Sequence, residues 1–222
     1  TRAVELLLTH GAAPDVLHYL NPGIVESTAL SLACGPGGSA DCALALLRGG
    51  ANPHLMTAGN RLPMRLACTH GHVDIVRHLL KFRASANLTG DRGDPPLITA
   101  CRHGHSEVCR VLCTAGALID SATDSDEGNT ALMVATNIDH KECVRVLLEC
   151  GASPHTQNRQ GNSPYKLALM SHKHAQLKLS TMTESAPLVI SSVDLQTIVT
   201  SDGSDEQTPD PVYRYPVEPG RF

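Results

Sequence analysis

The sequence predicts an all-α solenoid of stacked helix-turn-helix units, and three observations carry that prediction. Alanines recur at Ala67, Ala100, Ala135 and Ala168, in steps of 33, 35 and 33 residues, a period that belongs to repeat arrays. Within residues 55–87 an apolar run opens at Leu62-Pro63-Met64, breaks at Gly71-His72 and restarts at Ile75, Val76, Leu79 and Leu80 with helical spacing. The same pattern returns downstream. Pro95-Pro96-Leu97-Ile98-Thr99-Ala100 leads to Gly104-His105 and Leu112-Cys113, and Thr130-Ala131-Leu132-Met133-Val134-Ala135 leads to Asp139-His140 and Leu147-Leu148. In such arrays each unit touches only its neighbours, so the repeats are expected to form one elongated domain.

The unit resembles the ankyrin repeat. The Thr-Pro-Leu-His-x-Ala opening, the Gly-His break, the Leu-Leu pair and the Gly-Ala-x-x-Asn close of that family are all met in variant form over about residues 1–179. The resemblance implies β-hairpin loops projecting between the helix pairs and a curved stack. It divides the chain into a partial unit at 1–15, full units at 16–54, 55–87, 88–120 and 121–155, and a degenerate capping unit at 156–179.

Taken in order, residues 1–8 fall on the second helix of a unit whose first helix is missing, so Thr1 is read as a cut through a longer protein. Without that preceding helix Val4, Leu7 and Leu8 would face water. The unit 16–54 inserts about five residues before Thr28-Ala29-Leu30, placing Tyr19, Leu20, Ile24 and Val25 either on an apolar finger or folded back over the next unit; both readings stand. Its Gly35-Pro36-Gly37-Gly38 is followed by no Gly-Lys-Ser/Thr and has no Lys nearby, so a helix connection is expected rather than a phosphate loop. In 55–87 the glycine of the closing Gly-Ala is replaced by Arg83. A left-handed residue is needed there, which costs a side chain roughly 1 kcal/mol. The unit 88–120 presents Asp91, Arg92 and Asp94 at its hairpin, and 121–155 carries two extra residues and an acidic tip of Asp124, Asp126 and Glu127. The last unit opens with Gly161-Asn162-Ser163-Pro164-Tyr165 but its second helix, 172–178, lacks the Leu-Leu pair, as a terminal cap should.

Residues 180–222 shift to Ser, Thr, Asp and Pro with no helical period, which predicts a disordered acidic tail. Tyr213, Tyr215 and Phe222 place three of the six aromatic residues in its last ten positions. They fit a short docking motif or a linker towards a further segment. Ser204 and Thr208 stand in short phosphorylation-like patterns.

Composition removes several functions. Residues 1–179 hold 16 Lys+Arg against 15 Asp+Glu and residues 180–222 hold 2 against 7, giving +1 and −5 and the chain's net of −4. A nearly neutral array lacks the basic stripe that nucleic acid requires. No apolar run approaches the ~18 residues of a membrane span. Eight cysteines and twelve histidines raise the question of zinc, with Cys101, His103, His105 and Cys109 as the best cluster. Yet Cys34, Cys68 and Cys101 replace a small alanine of the repeat, and His72, His105 and His140 belong to its break, so no metal and no cofactor is expected. Equivalent cysteines on neighbouring units lie ~8–10 Å apart, too far for a disulfide. A reducing compartment, cytoplasmic or nuclear, is therefore expected. No Gly-x-Ser-x-Gly, no His-Glu-x-x-His and no apolar carboxylate pair is present, so the segment is not expected to be an enzyme.

The resemblance implies that a partner protein is bound through the concave side, formed by hairpin tips and first helices. Position by position the tips are Ala58, Gly59 and Arg61; Asp91, Arg92 and Asp94; Asp126, Glu127 and Asn129; and Arg159, Gln160 and Asn162. The adjoining helix ends are Thr69 and His70, Arg102 and His103, and Asn137 and Ile138. Arg61, Arg92, Arg102 and Arg159 alternate with the acidic fourth hairpin, which suits a partner of mixed charge and bidentate carboxylate contacts. Asn87 resembles the hairpin asparagine modified by asparaginyl hydroxylases in this family, with Leu79 eight residues before it, although Ser85 stands where an acid is usual. The expected role is a monomeric, non-catalytic interaction module or scaffold. The alternative is the substrate-recruiting arm of a larger ubiquitin ligase, kinase or acyltransferase.

Overall fold

A computed structural model of the protein describes residues 1–21, 24–57, 61–90, 93–123 and 127–170, with only the backbone described at 18–21 and 24–26. In chain order the elements are α1 (Arg2–Thr9), β1 (His18–Asn21), β2 (Ile24–Ser27), α2 (Ala29–Cys34), α3 (Ala40–Arg48), α4 (Pro63–His70), α5 (Val73–Lys81), α6 (Pro96–Arg102), α7 (Ser106–Thr114), α8 (Ala131–Asn137) and α9 (Lys141–Glu149). Residues 164–170 are helical as well. The expectations for the polar capping helix beyond Met170 and for the tail at 180–222 lie outside the described residues.

Helix pairs alternate between two rows. The inner row stacks α2, α4, α6 and α8 in succession, and the outer row stacks α1, α3, α5, α7 and α9. One continuous apolar core fills the space between them, from Leu30 and Leu46 through Leu79, Ile98 and Leu112 to Leu147. Short helices of this kind hold together by burying such a face against neighbours, not by intrinsic propensity.

Each inner helix starts where the sequence supplies a start signal. Thr28 and Ser31 form a reciprocal cap on α2, and the Thr130 hydroxyl accepts from the Met133 N–H at 3.4 Å on α8. In α4 and α6, Pro63 and Pro96 take the first turn, where a missing N–H costs nothing. The break to the outer helix needs a left-handed residue, supplied by Gly71 (φ 71°) and Gly104 (φ 76°) and, in the fourth unit, by Asp139 (φ 61°).

The unit closes need one too. Gly50, Gly116 and Gly151 adopt φ of 90°, 84° and 91°, and Arg83 is forced to φ 64° at the corresponding turn, as its place in the repeat requires.

At the first helix the outcome differs from expectation in part. Helix α1 packs on α3 in the outer row, and Val4 and Leu8 press on the core, Leu8 lying over Gly49. Leu7 does face outward, with Leu6 beside it, at 62% and 55% exposure. The inserted segment before α2 forms an antiparallel hairpin pairing His18 with Ser27 and Tyr19 with Glu26. The direction in which Tyr19, Leu20, Ile24 and Val25 point lies outside the described side chains.

Candidate functional site

Histidines at two of the helix breaks tie α2 to α4 and α4 to α6. His72 reaches back to the Gly35 carbonyl and His105 to the Thr69 carbonyl, each through Nε2 at 3.0 Å. The His105 ring lies so close over Gly71 that a Cβ there would stand 2.5 Å from it. This seam fixes the C-terminal ends of the inner helices, where Thr69, His70, Arg102, His103, Asn137 and Ile138 sit. Thr69 and His70 are half-buried; Arg102, His103, Asn137 and Ile138 are exposed. Partial burial and the neighbouring His72 and His105 hold the His70 ring below the usual imidazole range. His103 is depressed by the same causes, burial first and then His105, with Arg102 adding to them.

Part of the predicted set converges. Thr69, Asp94, Arg102 and His103 line a shallow, open depression of about 310 Å³, together with Arg65, Gly93 and Thr99. Arg102 does not stand free within it: its Nε and Nη2 donate to Asp94 Oδ2 at 3.1 and 2.5 Å. The bidentate contact expected with a partner is thus already made, in part, within the chain. Arg65 and Thr99 were not anticipated. Arg65 could have been, since it precedes Thr69 by one helical turn and therefore shares its face; the Thr69 hydroxyl donates to the Arg65 carbonyl at 2.9 Å.

The hairpin side corrects one expectation. Asn129 was placed at a tip open to a partner, but it is 8% exposed. Its side-chain Nδ2 donates to Glu127 at 2.6 Å, its Oδ1 accepts from Asn158 Nδ2 at 2.7 Å, and its backbone N–H donates to the Thr123 hydroxyl. A buried amide with these bonds serves the fold. Asn158 in turn accepts at Oδ1 from the N–H groups of Gln160 and Asn162. The Arg159 N–H donates to the Glu127 carbonyl at 3.0 Å, so the last two hairpins are joined. Arg61, Glu127, Arg159 and Gln160 are exposed at this edge and Asn162 half-buried. Ala58, Gly59, Asp91, Arg92, Asp124 and Asp126 lie outside the described residues.

Asn87 is exposed at a corresponding inter-unit loop, where its Oδ1 accepts from the Leu118 N–H at 2.8 Å and its Nδ2 donates to the Gly116 carbonyl at 3.1 Å. Asp15 and Asp120 hold the N–H groups of Asn52 and Ser153 in the same manner. Asn87 is therefore a joint between units as well as a surface residue.

The cysteine and histidine cluster comes apart in space. Cys101 and Cys109 are fully buried with their sulfurs 3.4 Å apart, while His103 faces outward and His105 is bonded to Thr69. Among the described residues no three His, Cys, Asp or Glu side chains converge to hold a metal. Burial pushes the Cys34 thiol up to about 12 and the Cys68 thiol upward as well. Contact with the Cys101 and Cys143 sulfurs, then burial, raises Cys109. Contact with the Cys101 and then the Cys109 sulfur shifts Cys143 downward, and its side chain is fully buried.

A larger hollow of about 460 Å³ lies on the outer row, lined by Arg77, Leu80, Glu107, Arg110, Val111, Thr114 and Ala115. Its charged walls are already paired: Arg77 with Glu107 at 3.0 Å, and Arg110 with Glu107 at 3.9 Å and with Glu149 at 2.9 Å. No described helix is long and apolar enough to cross a membrane.

Comparison with known proteins agrees with this architecture. The profile of a family described as ankyrin repeats (3 copies) matches residues 1–89, 30–123, 64–158 and 116–179. No curated protein matches the chain.

Proposed function

The chain belongs to the ankyrin repeat family, whose arrays are generally protein-interaction modules, and we propose that it is a non-catalytic module binding a partner protein through the concave face. One observation carries the reading: the depression between α4 and α6 is walled by polar side chains, those of Arg65, Thr69, Asp94, Thr99, Arg102 and His103. On the outer row the ladder charges are paired with one another, which favours the inner row as the side that discriminates between ligands. The eight free thiols suit a reducing compartment, cytoplasmic or nuclear.

The test is a pull-down with the whole chain against a variant combining Arg61→Ala, Arg92→Ala, Arg102→Ala and Arg159→Ala. Loss of a partner at an unchanged melting temperature supports the concave face. Retention of the same partners overturns it and directs attention to the hairpin at 18–27 or the aromatic residues near the C-terminus.

A further inference from the structure

The depression between α4 and α6 combines two guanidinium groups with one carboxylate. Arg102 is pinned from one side: Asp94 accepts from Nε and Nη2, leaving Nη1 and the second N–H of Nη2 to other acceptors. Arg65 lines the same hollow and has no ion pair among the described residues. Thr69 and Thr99 complete the wall with hydroxyls, and Asp94 is the one acid among the described lining residues. Among the described lining residues two arginines face one carboxylate, which leaves one positive charge unanswered.

We propose that this depression is a socket for a single Asp or Glu side chain of the partner protein, gripped by Arg65 and by the face of Arg102 that Asp94 leaves open. This deepens the concave-face reading and rests on it. Arg65 supplies the new, unpaired donors. Asp94 plays the opposite part: it orients Arg102 and competes with the incoming carboxylate for it. An arginine held in a fixed plane recognises a carboxylate by geometry as well as charge, and a lysine at either position would lose the two-point contact.

The experiment selects 12-residue peptides from a random displayed library on the immobilised full chain, then measures the recovered peptides by fluorescence polarisation. The expected peptides carry one indispensable acid, and its change to the amide weakens binding about tenfold. Arg65→Ala costs a similar factor, and the two losses do not add when combined. Asp94→Asn strengthens binding several-fold, a gain that a damaged fold would not produce. Arg77→Ala on the outer row leaves it unchanged.

A library that yields no binder, or binders with no required acid, overturns the socket. If such binders are still lost on Ile138→Ala or Arg61→Ala, the concave face stands without the socket. If none of these substitutions affects them, both readings fail.

Discussion

The two rows of helices differ in the charge they carry and in how they use it: α2, α4, α6 and α8 hold no carboxylate, whereas each outer helix holds both signs. Along the outer row Asp74, Arg77, Glu107, Arg110, Glu149, Arg145 and Glu142 form an unbroken alternating ladder across α5, α7 and α9. Along the inner row and its loops the ion pair among the described residues is Asp94 with Arg102, and Arg65 and Arg61 remain outside any such pair. Exposed pairs each contribute only ~0.2–1 kcal/mol, so the ladder does little for stability link by link. What it does is tie the outer-face charges to one another, four acids with three arginines, so that the charges without an ion pair among the described residues include Arg61 and Arg65 on the inner side.

The histidine seam along the inner row is where the comparison can be broken outright. Gly71→Ala adds a methyl group at a left-handed position and directs it into the His105 ring. Backbone strain and overpacking together should destabilise the array by about 3 kcal/mol, lowering the melting temperature by roughly 6–12 °C for a chain of this size. A smaller loss would mean that His105 swings away and that the inner helix ends are less rigid than they stand here.

The ladder itself gives a second test. Arg110 bridges Glu107 and Glu149, joining two units, and Arg110→Ala should cost about 1 kcal/mol at low salt. The loss should shrink towards zero in 1 M NaCl, where the Debye length falls to ~3 Å. Arg65→Ala on the inner row should leave stability unchanged under both conditions. Equal salt-dependent losses in the two variants would remove the distinction between the rows.

Much of this was legible in the sequence because repetition exposes departures from a rule. Arg83 stands where other units place glycine, and its φ of 64° follows from that alone. Arg83→Gly should therefore stabilise the array by up to about 1 kcal/mol, read as a small rise in melting temperature; no rise would place the strain elsewhere. The outer ladder was half visible, since Asp74 with Arg77 and Glu142 with Arg145 are three apart on one helix. The links from Arg77 to Glu107 and from Arg110 to Glu149 depend on how far each unit is offset from the next, which one unit's pattern does not encode. Asn129 was misplaced for a related reason. Its direction is set by the Ala122 to Thr130 bridge and by the approach of Asn158 from the following hairpin, and no local residue announces either.

Acid separates the rows more finely. His70 and His103 are inner-row groups whose folded pKa lies below the unfolded value near 6.5, because burial and neighbouring histidines disfavour the charged ring. As pH falls through about 6.5 the unfolded chain takes up these protons before the folded chain does, so stability declines. The decline is complete once pH passes below the folded values. The outer-row ladder is made of carboxylates and guanidinium groups and holds no histidine, so Arg110→Ala should keep the same drop. Melting curves from pH 7.5 to 5.5 should thus show a drop that His70→Gln with His103→Gln reduces. If the histidine variant instead keeps the full drop above pH 5.5, the charge on the inner row is not what acid perturbs first.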